Sequence, residues 1–199
     1  YPDPGFPIYK SAIDYTGAKA VPIKVDSHDN FKIDIEKLFS LINKKTKLII
    51  FNSPSNPTGT IISKNDLSII AKELKKYPNI AILSDEIYSK IVYNNVKHPS
   101  FLEYEFLRDR LILLDGWSKT YSMTGWRIGY GIWPDQWVKY AERLNTNSNS
   151  CTNIISQYAA IAALEGSQVC VENMVKSFDK RRKLIIKGLN NISGFECPD

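Results

Sequence analysis

Cysteine is scarce in this chain of 199 residues: three, at Cys151, Cys170 and Cys197, too few and too far apart for a disulfide framework or a paired metal site. Histidine is scarcer still. His28 and His98 stand in polar, loop-like surroundings with no ligand pattern, so no metal is expected. No apolar run approaches the roughly 20 residues of a membrane span, and the opening residues lack the profile of a signal peptide. No membrane partner is therefore expected, and a reducing, cytoplasmic setting is the simplest one. A dense stripe of one charge is missing too. The 26 basic and 21 acidic side chains give a net charge of +5, but the lysines are scattered at helix-surface spacing, which argues against nucleic acid as a partner.

What remains is ordinary for a globular protein, 43% apolar and 24% charged. Its order is informative. Residues 6–16 carry a helical pattern that Gly17 can end, and residues 20–25 read as a strand. Asp34 can cap a helix with Ile35, Leu38, Phe39 and Ile42 on one face. Ser63 and Asp66 open another, running to about Lys76. The apolar runs at 48–51, 80–83 and 111–114 read as strands buried on both faces, with a further strand over 128–133. A helix over 134–144, a polar break at 145–152, a helix over 154–164 and a longer one over 169–189 complete the pattern. No repeats appear. Strands alternating with helices predict an α/β fold, an α/β/α sandwich around a mostly parallel sheet.

In such sheets ligands gather at the carboxyl ends of the strands. Three such ends carry polar groups. The 48–51 strand empties into Asn52-Ser53-Pro54-Ser55-Asn56-Pro57-Thr58-Gly59, where two prolines and a glycine restrain Asn56. The 80–83 strand ends in Ser84-Asp85-Glu86-Ile87-Tyr88. The third leads to Gly116-Trp117-Ser118-Lys119, with Arg127 eight residues beyond the lysine. A lysine desolvated beside a second cation is an amine nucleophile toward aldehydes, and a guanidinium is a planar fork suited to phosphate. An aldehyde that also carries phosphate is pyridoxal phosphate.

Taken together, Asn56-Pro57-Thr58-Gly59, Asp85-Glu86-Ile87-Tyr88, Ser118-Lys119 and Gly125-Trp126-Arg127-Ile128-Gly129-Tyr130 resemble, in order and spacing, the class I/II aminotransferases of the fold type I pyridoxal phosphate enzymes. The resemblance implies a Schiff-base role for Lys119, which also shuttles a proton at the substrate's α-carbon. It gives Asp85 the cofactor's ring nitrogen, Tyr88 and Asn56 its 3-oxygen, and Arg127 and Ser118 its phosphate. Counting back from Gly17 sets Phe6 as the aromatic platform, with Tyr9 one turn later. Many relatives have serine where this chain has Gly116. The substrates implied are an amino acid and a 2-oxo acid, in the aspartate and aromatic branch, and the assembly implied is a homodimer.

The resemblance also divides the chain: residues 1–165 would be part of the pyridoxal phosphate-binding large domain, and residues 166–199 an interdomain helix and the beginning of a small domain. Relatives carry more on either side, including the arginine that grips the substrate's carboxylate, so the chain reads as a fragment with little turnover alone. Two alternatives stay open. Other fold type I reactions, β-elimination or racemisation, use the same aspartate and lysine, and a non-catalytic scaffold module would keep the fold without the chemistry.

Overall fold

The computed structural model of the chain describes residues 1–198. A short parallel pair comes first: β1 (Pro2–Asp3) lies beside β2 (Ile23–Lys24), with helix α1 (Ile8–Tyr15) between them in sequence. Residues 20–25 thus contribute two residues of strand rather than six, because β1, a turn-rich segment the sequence did not mark as a strand, is equally short. Gly17, at φ 73°, ends α1 in the left-handed region that glycine enters without strain.

Helix α2 (Ile35–Ser40) starts where Asp34 accepts the Lys37 amide at 2.9 Å. The main sheet follows. Its strands, β3 (Leu48–Asn52), β4 (Ala81–Asp85), β5 (Leu111–Gly116) and β6 (Gly129–Ile132), lie in that order, the first three parallel and β6 antiparallel to β5. Pairing aligns Asn52 with Asp85 and Asp85 with Leu114, so β3 and β4 finish level while β5 runs on to Gly116. Alternation along each strand turns Ile49, Phe51, Ile82 and Leu111 to one face. There they pack with Leu38 of α2 and with Leu67, Ile70 and Leu74 of α3 (Lys64–Leu74). Each such side chain removed from water contributes about 1.5–3 kcal/mol. Ser63 caps α3 by accepting the Asp66 amide at 3.1 Å.

The carboxyl end of α3 is closed from a distance. Arg110 is only 8% exposed, and its guanidinium donates to the carbonyls of Leu74, Tyr77 and Ile80 at 2.8, 3.0 and 2.7 Å. Those are carbonyls that a helix end and the following turn leave without intrahelical partners. Arg110 ends a 3-10 stretch, residues 105–110, that the sequence did not mark.

Beyond β5 the chain forms the single-turn α4 (Trp117–Thr120), and after β6 come α5 (Asp135–Asn149), α6 (Ile154–Glu165) and α7 (Val169–Asn190). The polar break expected over 145–152 is shorter, since α5 continues to Asn149. In its polar end Asn147 donates to the Arg143 carbonyl and Ser148 to the Leu144 carbonyl, both at 2.7 Å, so these side chains turn back onto the helix. A second small core joins Met123 and Ile128 to Ala160 of α6, with Trp117 and Tyr121 against it. Trp117 Nε1 donates to the Ala160 carbonyl at 3.0 Å, which ties α6 to the segment carrying Lys119.

Candidate active site

Asp85 is the last residue of β4 and stands beside Asn52 across the parallel pairing. Both oxygens of its carboxylate have donors: the Tyr9 hydroxyl at 2.7 Å on Oδ2 and the Ile87 amide at 3.2 Å on Oδ1. Tyr9 is 6% exposed, and burial, followed by the charge of Asp85, pushes its phenol above the usual range. It therefore remains a donor and fixes the carboxylate's direction. Tyr9, one turn after Phe6, is the side chain that meets Asp85. Phe6 is 45% exposed and meets the site only through the edge of Tyr9, ring centroids 5.9 Å apart. It precedes α1 instead of lying within it.

The loop after β3 is built on Asn52, which is buried and bridges two strand ends: Nδ2 donates to the Asp85 carbonyl at 3.1 Å and Oδ1 accepts the Asn56 amide at 2.8 Å. The Asn56 side chain then donates to the Tyr88 hydroxyl at 3.4 Å. Burial raises the Tyr88 phenol and the Asn56 contact opposes this. Asn56, Asp85, Tyr88 and Tyr9 form one connected group across β3, β4 and α1.

Lys119 lies in α4, not in an open turn, because β5 continues two residues past its apolar run to Gly116. A Cβ at Gly116 would lie 2.8 Å from the Gly129 Cα and 3.2 Å from the Ile128 carbonyl. No side chain fits there while β6 pairs with β5, so the serine of many relatives has no room in this arrangement. Lys119 is half-buried, and among the described residues its amine has no hydrogen-bond or ion-pair partner. Ser118 is tied through its carbonyl, which accepts the Thr124 hydroxyl at 2.9 Å. Arg127 is exposed, with φ 52°, and one guanidinium nitrogen donates to the Thr124 carbonyl at 3.0 Å. Ser118, Thr124 and Arg127 are thereby held in one loop, whose other end is β6.

The two groups follow neighbouring strands, since β4 and β5 are paired from Ile82–Leu111 to Asp85–Leu114. One cavity includes Asn52 and Ser55, and another is lined by Tyr1, Phe6 and Asp14; neither takes in Lys119, Asp85 or Tyr88. Chemically, the face offers a half-buried primary amine, an oriented carboxylate, a phenol and amide side by side, and a guanidinium.

The sequence reading missed a layer behind this face. His98, placed in a polar loop by sequence, has a side chain only 6% exposed, and so has Glu86 beside it. Their signal lay in the alternation at Ser84-Asp85-Glu86, which turns Glu86 inward when Asp85 faces the site. Asp115, whose carboxylate accepts the Gly116 amide at 2.7 Å and the Tyr130 hydroxyl at 3.4 Å, is also pushed up by burial.

The family model described as aminotransferase class I and II matches residues 1–199. A probable aspartate aminotransferase of Methanocaldococcus jannaschii is 45% identical over 204 residues, covering 100% of this chain and 52% of the relative. Among solved structures, the aspartate aminotransferase from Rhizobium meliloti matches with TM-score 0.95 and 34% identity, over 99% of this chain and 50% of that one. The aromatic aminotransferase from Pyrococcus horikoshii matches with TM-score 0.92 and 34% identity, over 96% and 52%. The chain thus spans about half the length of the proteins it matches. By its motifs, its sheet and a match along its whole length, this chain belongs to the class I and II aminotransferases.

Proposed function

We propose that this chain contributes the pyridoxal phosphate-binding face of an enzyme that moves an amino group between an amino acid and a 2-oxo acid. The observation that carries the reading is the half-buried amine of Lys119, without a hydrogen-bond or ion-pair partner among the described residues, one strand from a carboxylate that Tyr9 holds at 2.7 Å. The donor set fits the cofactor group by group: an amine for its aldehyde, Asp85 for its ring nitrogen, Tyr88 and Asn56 for its ring oxygen, Arg127 and Ser118 for its phosphate. When bound, pyridoxal phosphate supplies an aldehyde that condenses with amines and a ring that draws electrons from the carbon beside them.

The chain's own residues then have separate tasks. Lys119 Nζ would be the amine that holds the cofactor's aldehyde end, and as a free amine it would be the base that takes the proton from the substrate's α-carbon. Asp85 holds a proton on the ring nitrogen, an interaction of about 1.5–3 kcal/mol for a charge-assisted bond. Tyr9 keeps the Asp85 carboxylate oriented for it. The Asn56 amide and Tyr88 hydroxyl would donate toward the ring oxygen, and the Arg127 guanidinium would hold the phosphate. Gly116 leaves the phosphate to Ser118, Arg127 and main-chain amides. Phe6 would serve the cofactor as an aromatic platform from its place beside Tyr9.

Relatives named for aspartate and for aromatic substrates point to an amino acid of one of those classes. A homodimer, the large-domain assignment of residues 1–165, the small-domain start after residue 166 and a cytoplasmic setting belong to the same proposal. The test is product analysis: the protein is given cofactor, aspartate or phenylalanine, and a 2-oxo acid. Amino transfer to the 2-oxo acid is expected, in amount equal to the amino acid consumed. Ammonia release, or inversion of the amino acid with no 2-oxo acid formed, would assign the same residues to elimination or racemisation instead.

A further inference from the structure

Asp85 and Glu86 adjoin in sequence but turn to opposite sides of the sheet. Asp85 lies on the side of Asn52, whereas Glu86, 5% exposed, shares its side with Ser84. Glu86 Oε1 accepts the hydroxyls of Ser84 at 2.8 Å and Ser100 at 3.0 Å. Its Oε2 faces His98 Nδ1 at 3.8 Å. The opposite nitrogen of that ring, Nε2, is 2.8 Å from the carbonyl of Ser53, three residues before Asn56. A carbonyl only accepts, so Nε2 carries the proton and Nδ1 turns its lone pair to Glu86 when the ring is neutral. Burial lowers the His98 pKa and raises that of Glu86, so it disfavours the charged form of each.

This cluster spans three segments: the loop after β3, the end of β4, and the residues that open the 3-10 turn Phe101–Glu103. From the front, the loop is tied to β4 by the Asn52 side chain and by the Ser53 amide, which donates to the Asp85 carbonyl at 3.2 Å. From behind it is held by His98. Among the described residues neither Glu86 nor His98 hydrogen-bonds to Lys119, Asn56 or Tyr88, so neither has a direct part in the chemistry proposed above.

We propose that Glu86 and His98 form a buried brace that clamps the loop of Asn56 against the turn of Asp85 and Tyr88, and so sets the Asn56–Tyr88 contact. They are positioning residues. Their bearing on cofactor rests on reading this face as the cofactor site, but the brace itself does not.

The experiment has one arm for each. Without cofactor, amide exchange is compared in the wild-type chain, His98→Ala and His98→Gln. The amides of Asn56, Gly59 and Ile62, bonded to Asn52 Oδ1, the Ser55 carbonyl and Ser53 Oγ, report on the loop. In His98→Ala they are expected to exchange about fivefold faster, the equivalent of one neutral hydrogen bond, while Ile70 and Ala71 in α3 keep their rates. His98→Gln, whose amide can donate to the Ser53 carbonyl, is expected to restore them. With pyridoxal phosphate, the dissociation constant of His98→Ala is expected to rise by a similar factor. Unchanged exchange at the three amides in folded His98→Ala overturns the brace, whatever the cofactor does. A wild-type chain that takes up no cofactor, with exchange responding as stated, removes the cofactor reading and leaves the brace standing. Should His98→Ala fail to fold, Ser100→Ala, which removes one donor to Glu86, is measured at the same three amides: faster exchange there supports the brace, and unchanged exchange overturns it.

Discussion

Glu86 makes stability depend on pH in a way that one substitution should erase. Burial is the first cause that pushes its carboxyl from 4.5 to about 7; the hydroxyls of Ser84 and Ser100 and the Phe101 amide pull it down, and Asp115 pushes it up. Tyr130 and His98 also face this pocket. At 1.36 kcal/mol per pH unit the gap corresponds to roughly 3 kcal/mol of preference for the neutral form in the folded chain. Since the folded pKa lies above the unfolded one, this stabilisation is complete below about pH 4.5 and is lost as pH rises through about 7. Glu86→Gln has the same shape, keeps an oxygen for the serine hydroxyls, presents an amide to His98 and does not titrate. Urea unfolding of both proteins, followed by tryptophan fluorescence from pH 4.5 to 8.5, isolates the effect, because other titrating groups cancel in the difference. The variant is expected to match the wild type at the acid end and to exceed it by roughly 3 kcal/mol at the alkaline end. A difference that stays constant with pH, or grows toward acid, refutes the reading that burial governs the Glu86 carboxyl.

Arg110→Leu should destabilise the chain by about 3 kcal/mol or more, since three carbonyls lose a charged donor; an unchanged urea midpoint contradicts that cap. Gly116→Ser should cost about 1–3 kcal/mol, because its Cβ would press on Gly129. If the serine instead tightens pyridoxal phosphate binding with no loss of stability, β5 and β6 have more room between them than their pairing implies. Tyr9→Phe removes the 2.7 Å donor to Asp85 and should weaken cofactor binding about tenfold or more; binding by equilibrium dialysis equal to wild type would leave Asp85 oriented by other groups.

Legibility of the sequence varied with the range of the interactions involved. The three apolar runs and the caps at Asp34 and Ser63 are local signals, and the strands and helices they announce are present. So are the ends of β3 and β4, brought level by parallel pairing beside the longer β5. Harder to read was anything decided by a distant partner. Arg110 looks like a surface cation until α3 presents its carbonyls. His98 reads as a loop residue because its partners lie 45 residues upstream at Ser53 and on the inner side of β4. Gly116 reads as a turn residue, whereas its backbone is extended and its lack of a side chain serves the approach of β6. In the site, the motifs named Asp85 and Tyr88 directly, but the contact between Tyr9 and Asp85 crosses 76 positions and became visible only in three dimensions.

Central to the proposed chemistry is the amine of Lys119, as the group that reaches the cofactor's aldehyde. Borohydride reduction of the protein mixed with pyridoxal phosphate, followed by peptide mass mapping, tests it directly. The label is predicted on Lys119, blocked by prior addition of an amino acid substrate, and absent from Lys119→Ala. Label spread over surface lysines, with the same yield in Lys119→Ala, would contradict it.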